Sequence, residues 1–355
     1  MPPTMSRALW SSTLFSLLVA CGGTEPSGAG GSTTTSTTAA GGGAPDGGPP
    51  VTCGAESAPA LARCVDRARY DADLAVVAEA RPPGSAGWQK VQDLCADRFA
   101  SLGFQVERHQ YATGVNVIGT LPGADLALEK VIVSAHYDSV SSCPGADDNG
   151  SGVAGVLEAA RVLAKAKYRR TLAVACWDEE EDGLIGSQAY VTRAKSAGDL
   201  IAGAFVFEMI GYRTSAPGSQ TLPPGFSLIF PQQAAQVTEN ESRGDFVAII
   251  GDSLMDGPRK AYDAAAAALG LRSLSLSLAP EQKNSVLFGD LRRSDHAAFW
   301  AADYPAMMLT DTANFRNSHY HCTAGPDAVS DLDTAFSELV VAATVWAAAE
   351  TLEMQ

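Results

Sequence analysis

A chain of 355 residues, 46% of them hydrophobic, can bury a full core and is not disordered as a whole. Its 25 Lys plus Arg stand against 40 Asp plus Glu, a formal charge of −15 that repels phosphate backbones and excludes nucleic acid as an expected partner. Acidic surplus alone names no activity, because most such residues sit on solvated faces.

At the N-terminus Arg7 precedes a short apolar run from Ala8 to Ala20 that is too brief to span a bilayer, so residues 1–21 read as a signal peptide. The run ends Leu18-Val19-Ala20-Cys21-Gly22, which resembles the lipobox of bacterial lipoproteins. Cleavage before Cys21 leaves that thiol to carry a lipid; ordinary cleavage with an unmodified Cys21 is the alternative. Residues 22–51 are Gly, Ser, Thr, Ala and Pro with almost no bulky apolar side chain, so they cannot offset their own ordering entropy and read as a disordered tether. The expected product is exported, as an outer-membrane or cell-surface lipoprotein or a periplasmic or extracellular protein, and touches membrane only through a lipid on Cys21. Of seven cysteines, those other than Cys21 form an even set that permits disulfides in an oxidising compartment, with fifteen full pairings open. Cys53 with Cys64 is the first pairing to test, and Cys176, in an apolar strand-like run, is as readily a buried free thiol.

Residues 52–355 read as one α/β domain, a mostly parallel mixed sheet flanked by helices on both faces, because segments of helical period alternate with short apolar runs. Gln89 to Leu102 predicts a helix and Phe104 to His109 a strand. Strands follow at Val115 to Leu121 and at Val131 to Ala135, the latter nearly all apolar and therefore central. Gly152 to Ala166 predicts a helix, Thr171 to Trp177 a strand, Gly183 to Ala194 a helix and Gly203 to Phe207 a buried strand. Phe246 to Ile250 and Ala306 to Leu309 add strands, while Pro258 to Leu269 and Asp331 to Leu352 add helices. Between Arg213 and Gly244 a Pro-, Gly- and Gln-rich stretch has no clear period and is long enough to be a functional loop over the site.

In open α/β sheets ligands bind beyond the carboxyl ends of the strands. Three apolar strands here end in polar side chains: the first in His136-Tyr137-Asp138, the second in Asp178-Glu179-Glu180-Glu181-Asp182, the third in Glu208. Gly145-Ala146-Asp147-Asp148-Asn149-Gly150-Ser151-Gly152 opens the helix after the first strand, and His319-Tyr320-His321 comes late in the chain. Imidazoles and carboxylates gathered from separate strand ends suit the mixed nitrogen and oxygen ligation of zinc, and favour a metal over a covalent nucleophile. Two close cations need a bridging carboxylate, and hydrolysis needs one more carboxylate left free to take a proton from water. Each piece alone has a bland alternative: acidic runs are usually solvated turns, and a lone His such as His109 is usually a satisfied surface or core residue. Ser294-Asp295-His296 tempts a serine-hydrolase reading, yet triad partners converge from separated positions and no G-x-S-x-G elbow occurs, so a structural or pocket-lining role is expected.

Four motifs, in order, resemble the di-zinc exopeptidases of clan MH (metallopeptidase family twenty-eight), which contains bacterial aminopeptidases, glutamate carboxypeptidase and the glutaminyl cyclases. They are His136-Tyr137-Asp138-Ser139, Gly145 to Gly152, Trp177 to Ser187, and His319-Tyr320-His321, within a resemblance running from about Arg81 to Asp333. It implies a zinc-exopeptidase, phosphorylase/hydrolase-like fold and two zinc ions. By motif position His136 and Glu208 bind one zinc, with Asp138 orienting the His136 ring; Asp148 bridges, with Asp147 as runner-up; Glu181 and His321 complete the other zinc, with His319 as the competing imidazole; and Glu180 is the general base. Glu208 stands where the family often has Asp.

The resemblance implies an aminopeptidase acting on peptides. A glutaminyl cyclase with a single zinc and a carboxypeptidase are alternatives on the same fold, and a non-catalytic binding module is one from another class, disfavoured because every ligand position and the base hold competent residues.

Overall fold

The alternation of apolar runs and helical periods builds one eight-stranded mixed sheet among the residues described by the computed structural model, 52–355. The expected leader over residues 1–21, with its lipid on Cys21, and the tether over residues 22–51 lie outside the described residues. The strands are β1 (Gln105–Gln110), β2 (Val115–Leu121), β3 (Leu126–His136), β4 (Arg170–Trp177), β5 (Leu200–Glu208), β6 (Val247–Asp252), β7 (Ser273–Leu278) and β8 (Ala306–Thr310). They lie in the order β1-β2-β4-β3-β5-β8-β6-β7. Neighbours β4, β3, β5 and β8 run parallel, β2 and β6 are antiparallel to them, and β6 pairs parallel with β7.

The eleven α-helices of the described residues are α1 (Ala58–Ala62), α2 (Arg67–Val77), α3 (Ala86–Ser101), α4 (Gly152–Leu163), α5 (Ile185–Ala197), α6 (Phe226–Ile229), α7 (Pro231–Glu239), α8 (Asp256–Leu269), α9 (Pro280–Lys283), α10 (His296–Ala301) and α11 (Thr334–Thr351). Strand residues alternate between two cores, as a pleat with both faces covered demands. Val131, Val133 and Ala135 of β3 face the core shared with α2, α3, α4, α8 and α11, whereas Ile132 faces that of α5 and α10. Each fully buried Val or Leu contributes about 1.5–3 kcal/mol, so the central strands form a stiff platform.

Chain order creates the site. From β3 the chain passes through α4 to β4 on one side, then through α5 to β5 on the other, so the strand order reverses at β3. The carboxyl ends of β3, β4 and β5 therefore open side by side on a crevice, where ligands bind in such sheets.

Several elements differ from the expectation. Helix α5 starts at Ile185 rather than Gly183, because Gly183 and Leu184 adopt left-handed backbone at φ 110° and 62° and keep the acidic turn outside the helix. The stretch between Arg213 and Gly244 is partly helical, carrying α6 and α7. Strand β7, unforeseen, is Ser-Leu-Ser-Leu-Ser-Leu, an alternation that suits an edge strand with one face buried. Cys53 pairs with Cys64, and Cys143 with Cys322; Cys95 and Cys176 are buried free thiols.

Candidate metal centre

His136 is the last residue of β3 and wholly buried. Its Nε2 lies 3.4 Å from Asp148 Oδ1 and 3.4 Å from Glu208 Oε2, with Glu180 Oε2 at 4.0 Å. Across Asp148, the other oxygen, Oδ2, lies 3.2 Å from His321 Nε2, which is also 3.2 Å from Glu181 Oε2. Asp148 thus presents one carboxylate oxygen to each imidazole, and two donor clusters share it.

These spacings decide what the clusters fit. A tetrahedral ion with arms of about 2.0–2.2 Å sets its ligand atoms roughly 3.3–3.6 Å apart, close to the separations found. The buried Nε2 of His136 completes no hydrogen bond, and Glu181 Oε1 is likewise without a partner. Buried polar atoms are nearly always satisfied, so orphans converging on two points fit cations held there. The donor set of imidazole and carboxylate suits zinc.

Electrostatics favours the same filling. Burial pushes the Glu180 carboxyl well above the ordinary carboxylate range, and the charges of Glu208, Asp295 and Glu181 add to it against the pull of His136. Burial alone would lower the His321 imidazole, but hydrogen bonds and charge from Asp148 and Glu181 outweigh it and carry it to about 10. Without metal, the centre is a crowd of carboxylates held together by two protonated rings.

The acidic turn after β4 divides by direction. Asp178 accepts from Trp88 Nε1 and Val115 N, and Glu179 meets Thr113, so both anchor the turn to the strands. Asp182 is exposed. Only Glu180 and Glu181 enter the crevice, and their backbone N–H groups donate to Asp138 Oδ1 and Oδ2 at 3.1 Å. Asp138 Oδ1 is also 3.3 Å from His136 Nδ1, so this carboxylate fixes the turn as well as facing the ring.

Asp147 turns away from the imidazoles and accepts from Gly211 N and Asn317 Nδ2. His319 turns away too, its Nδ1 2.8 Å from Asp331 Oδ2. His296 Nε2 is 2.9 Å from the Leu291 carbonyl and Ser294 Oγ donates to Glu208 Oε2 at 2.7 Å, so these two do not form a nucleophile and base. Left-handed backbone recurs beside the candidate ligands, at Glu179, Met209 and His321, with φ of 53°, 52° and 53°. Such residues cost about 1–3 kcal/mol each and persist where surroundings impose them. Asn149 Oδ1 accepts from Met209 N, and the Cys143–Cys322 disulfide holds the residue after His321.

With this geometry in view, the model of peptidase family M28 matches residues 116–341, well over half the chain. The chain belongs to peptidase family M28. Uncharacterized protein YfbL of Escherichia coli strain K12 is 37% identical over 217 residues, covering 58% of this chain and 62% of that protein. Leupeptin-inactivating enzyme 1 of Streptomyces exfoliatus is 37% identical over 138 residues, 37% of this chain and 31% of that enzyme. The chain therefore spans less than two thirds of the length of these curated relatives. The Legionella pneumophila LapA aminopeptidase shares the fold with a TM-score of 0.62 at 18% identity, over 84% of this chain and 75% of LapA.

Within this M28 domain several contributors lie outside the predicted site residues. Arg81 is fully buried and donates to the carbonyls of Val77, Glu79, Tyr137, Pro144 and Gly145, bracing the segments that carry Asp138 and Asp148. An apolar pocket opens beside Glu208, walled by Leu222, Phe226, Phe246, Ile250, Leu276 and Met308. Leu222 and Phe226 come from the Arg213 to Gly244 stretch, which does lie over the site. Ser294 is the third contributor. Ser294→Ala is expected to weaken metal binding by about tenfold with the fold intact, because Glu208 loses the donor that aims it. Chelator competition measures this, and unchanged affinity would remove Ser294 from the centre.

Proposed function

We propose that this M28 chain is a two-zinc aminopeptidase that releases N-terminal residues with large apolar side chains from peptides. One observation carries the proposal: Asp148 faces His136 with one oxygen and His321 with the other, while Glu180 stands in the same crevice beyond the ligands needed. Asp148, Glu181 and His321 would hold one ion. His136 would hold the other with Glu208 and Asp148, whose oxygens lie nearest its Nε2, while Glu180, which also converges on His136 and Glu208, is left as the base.

Zinc held by these residues would lower the pKa of a water to near neutral and would polarise the scissile carbonyl. Glu180 accepts the proton of the attacking water and returns it to the leaving amine. Asp138, gripping the N–H groups of Glu180 and Glu181, keeps base and ligand at fixed spacing. The pocket beside Glu208 takes the apolar side chain, and the carboxylate-rich crevice attracts the free α-amino group.

The deciding experiment pairs metal analysis with a panel of aminoacyl anilides, N-blocked dipeptides and peptides with N-terminal glutamine, with and without chelator. Two zinc ions and chelator-sensitive hydrolysis of Leu and Phe anilides are expected. Turnover of N-blocked dipeptides alone would make the chain a carboxypeptidase. One zinc with cyclisation of glutamine would make it a glutaminyl cyclase, and no turnover would leave a binding module.

Proton linkage gives an independent check. In the metal-free protein the His321 ring is protonated below about 10, and zinc needs it neutral. Zinc uptake near neutral pH is therefore expected to release protons, and affinity to fall as pH falls. Calorimetry in buffers of different ionisation enthalpy reads the release; none at all would place zinc elsewhere.

Export and a lipid on Cys21 are part of the same proposal, supported by the two disulfides of the described residues, which suit an oxidising compartment. Metabolic labelling with a fatty acid, lost in Cys21→Ala, tests the lipid.

A further inference from the structure

Asp327 belongs to none of the four motifs and lies six residues beyond His321, yet it is buried against the backbone of Asp147 and Asp148. Its carboxylate faces no imidazole of the two donor clusters. It accepts instead from backbone: Asp147 N lies 2.9 Å from Oδ1 and 3.0 Å from Oδ2, and Asp148 N lies 2.9 Å from Oδ2. The Asp327 carbonyl also accepts from Ala146 N at 3.3 Å. On its own segment, Asp327 N donates to Cys322 Sγ, and that cysteine is bonded to Cys143, two residues before Gly145.

The segment that delivers His321 therefore also grips the backbone from which the Asp148 side chain springs. Asp148 must aim its two oxygens at two separate points, so a small rotation of its backbone moves both at once. A charged acceptor on its N–H is stronger and better directed than a neutral one. We propose that Asp327 is a positioning residue that registers Asp148 against His321 and so fixes the separation of the two metal ions. This rests on the two-metal reading given above.

Cobalt separates the inference from that reading. Wild-type protein loaded with Co2+ is expected to bind two equivalents and to show electronic and paramagnetic spectra of a coupled pair. Fewer than two equivalents in wild type would sink the two-metal reading itself. Given two, Asp327→Asn, which presents an amide N–H to one of the two backbone donors, is expected to weaken Co2+ and Zn2+ binding by about 10- to 100-fold and to alter the coupling spectrum. It should lower kcat with little change in KM. Asp331→Asn is the control, because Asp331 ties the same segment through His319 and touches neither Asp147 nor Asp148 in the hydrogen bonds of the described residues. It should leave spectrum and affinity unchanged. If Asp327→Asn keeps the wild-type spectrum and metal affinity and loses only thermal stability, or if Asp331→Asn perturbs the spectrum equally, Asp327 is a fastener and the inference fails. Should Asp327→Asn not fold, Asp327→Glu is read by the same spectrum, with a shifted coupling expected and an unshifted one overturning the idea.

Discussion

Replacing Glu180 by Gln is expected to lower kcat by about 10²–10⁴ while leaving metal content and KM nearly unchanged, the range that positioned proton transfer contributes. Glu180 Oε2 approaches His136 Nε2 only to 4.0 Å, whereas the oxygens of Asp148 and Glu208 reach 3.4 Å. It stands farther from the ring than either. Its neighbour Glu181 meets His321 at 3.2 Å, which suits the proposed division of two adjacent residues of one turn into a base and a ligand. The turn holds the two side chains apart, because Asp138 grips both backbone N–H groups and left-handed Glu179 redirects the chain just before them. Gln preserves shape and hydrogen bonding but cannot carry the proton. A Glu180→Gln protein with two zinc ions and full turnover would falsify the base; one that lost a zinc would show Glu180 to be a ligand.

The sheet and its ligand-bearing ends were legible in the sequence because both rest on short-range signals. Near-continuous apolar runs such as Val131 to Ala135 report strands covered on both faces, and a polar residue stopping such a run marks the strand's open end. His136 and Glu208 announced themselves in that way, whereas the split between Glu180 and Glu181, and the choice of His321 over His319, came from resemblance. Arg81 and Asp327 were not legible, and Ser294 was expected only as a structural or pocket-lining residue. Each acts through contacts between residues far apart in sequence: Arg81 on the Tyr137 and Gly145 carbonyls, Asp327 on the Asp147 and Asp148 amides, Ser294 on Glu208. No periodicity records such contacts. The Cys143–Cys322 bond was hidden for the same reason, since spacing cannot choose among fifteen pairings. Strand β7 is a different miss: its serine-leucine alternation was visible, and an edge strand needs only one apolar face.

The second large effect separates Asp148 from Asp147, two buried neighbours that local sequence treats alike. Asp148→Asn is expected to drop zinc binding from two equivalents to one at most and activity by about 10³ or more, since an amide nitrogen cannot ligate and one of the two positions would lose its oxygen from the common carboxylate. The same change releases two rings. In the metal-free protein the nearby Asp148 carboxylate helps hold His136 and His321 protonated, so without it both imidazoles should titrate lower. Asp147→Asn is the informative partner, because its carboxylate serves Gly211 N and Asn317 Nδ2. Burial and the charges of Asp311 and Asp327 raise its pKa well above the ordinary range, so a neutral amide replaces a group already disposed to be neutral. Zinc stoichiometry in Asp147→Asn should stay at two, with loss confined to thermal stability. Metal analysis and histidine titration by NMR on both variants distinguish the roles. If the two lose zinc alike, the shared carboxylate cannot be assigned to Asp148, and a cation would have to reach both aspartates through a rearranged Gly145 to Gly152 turn.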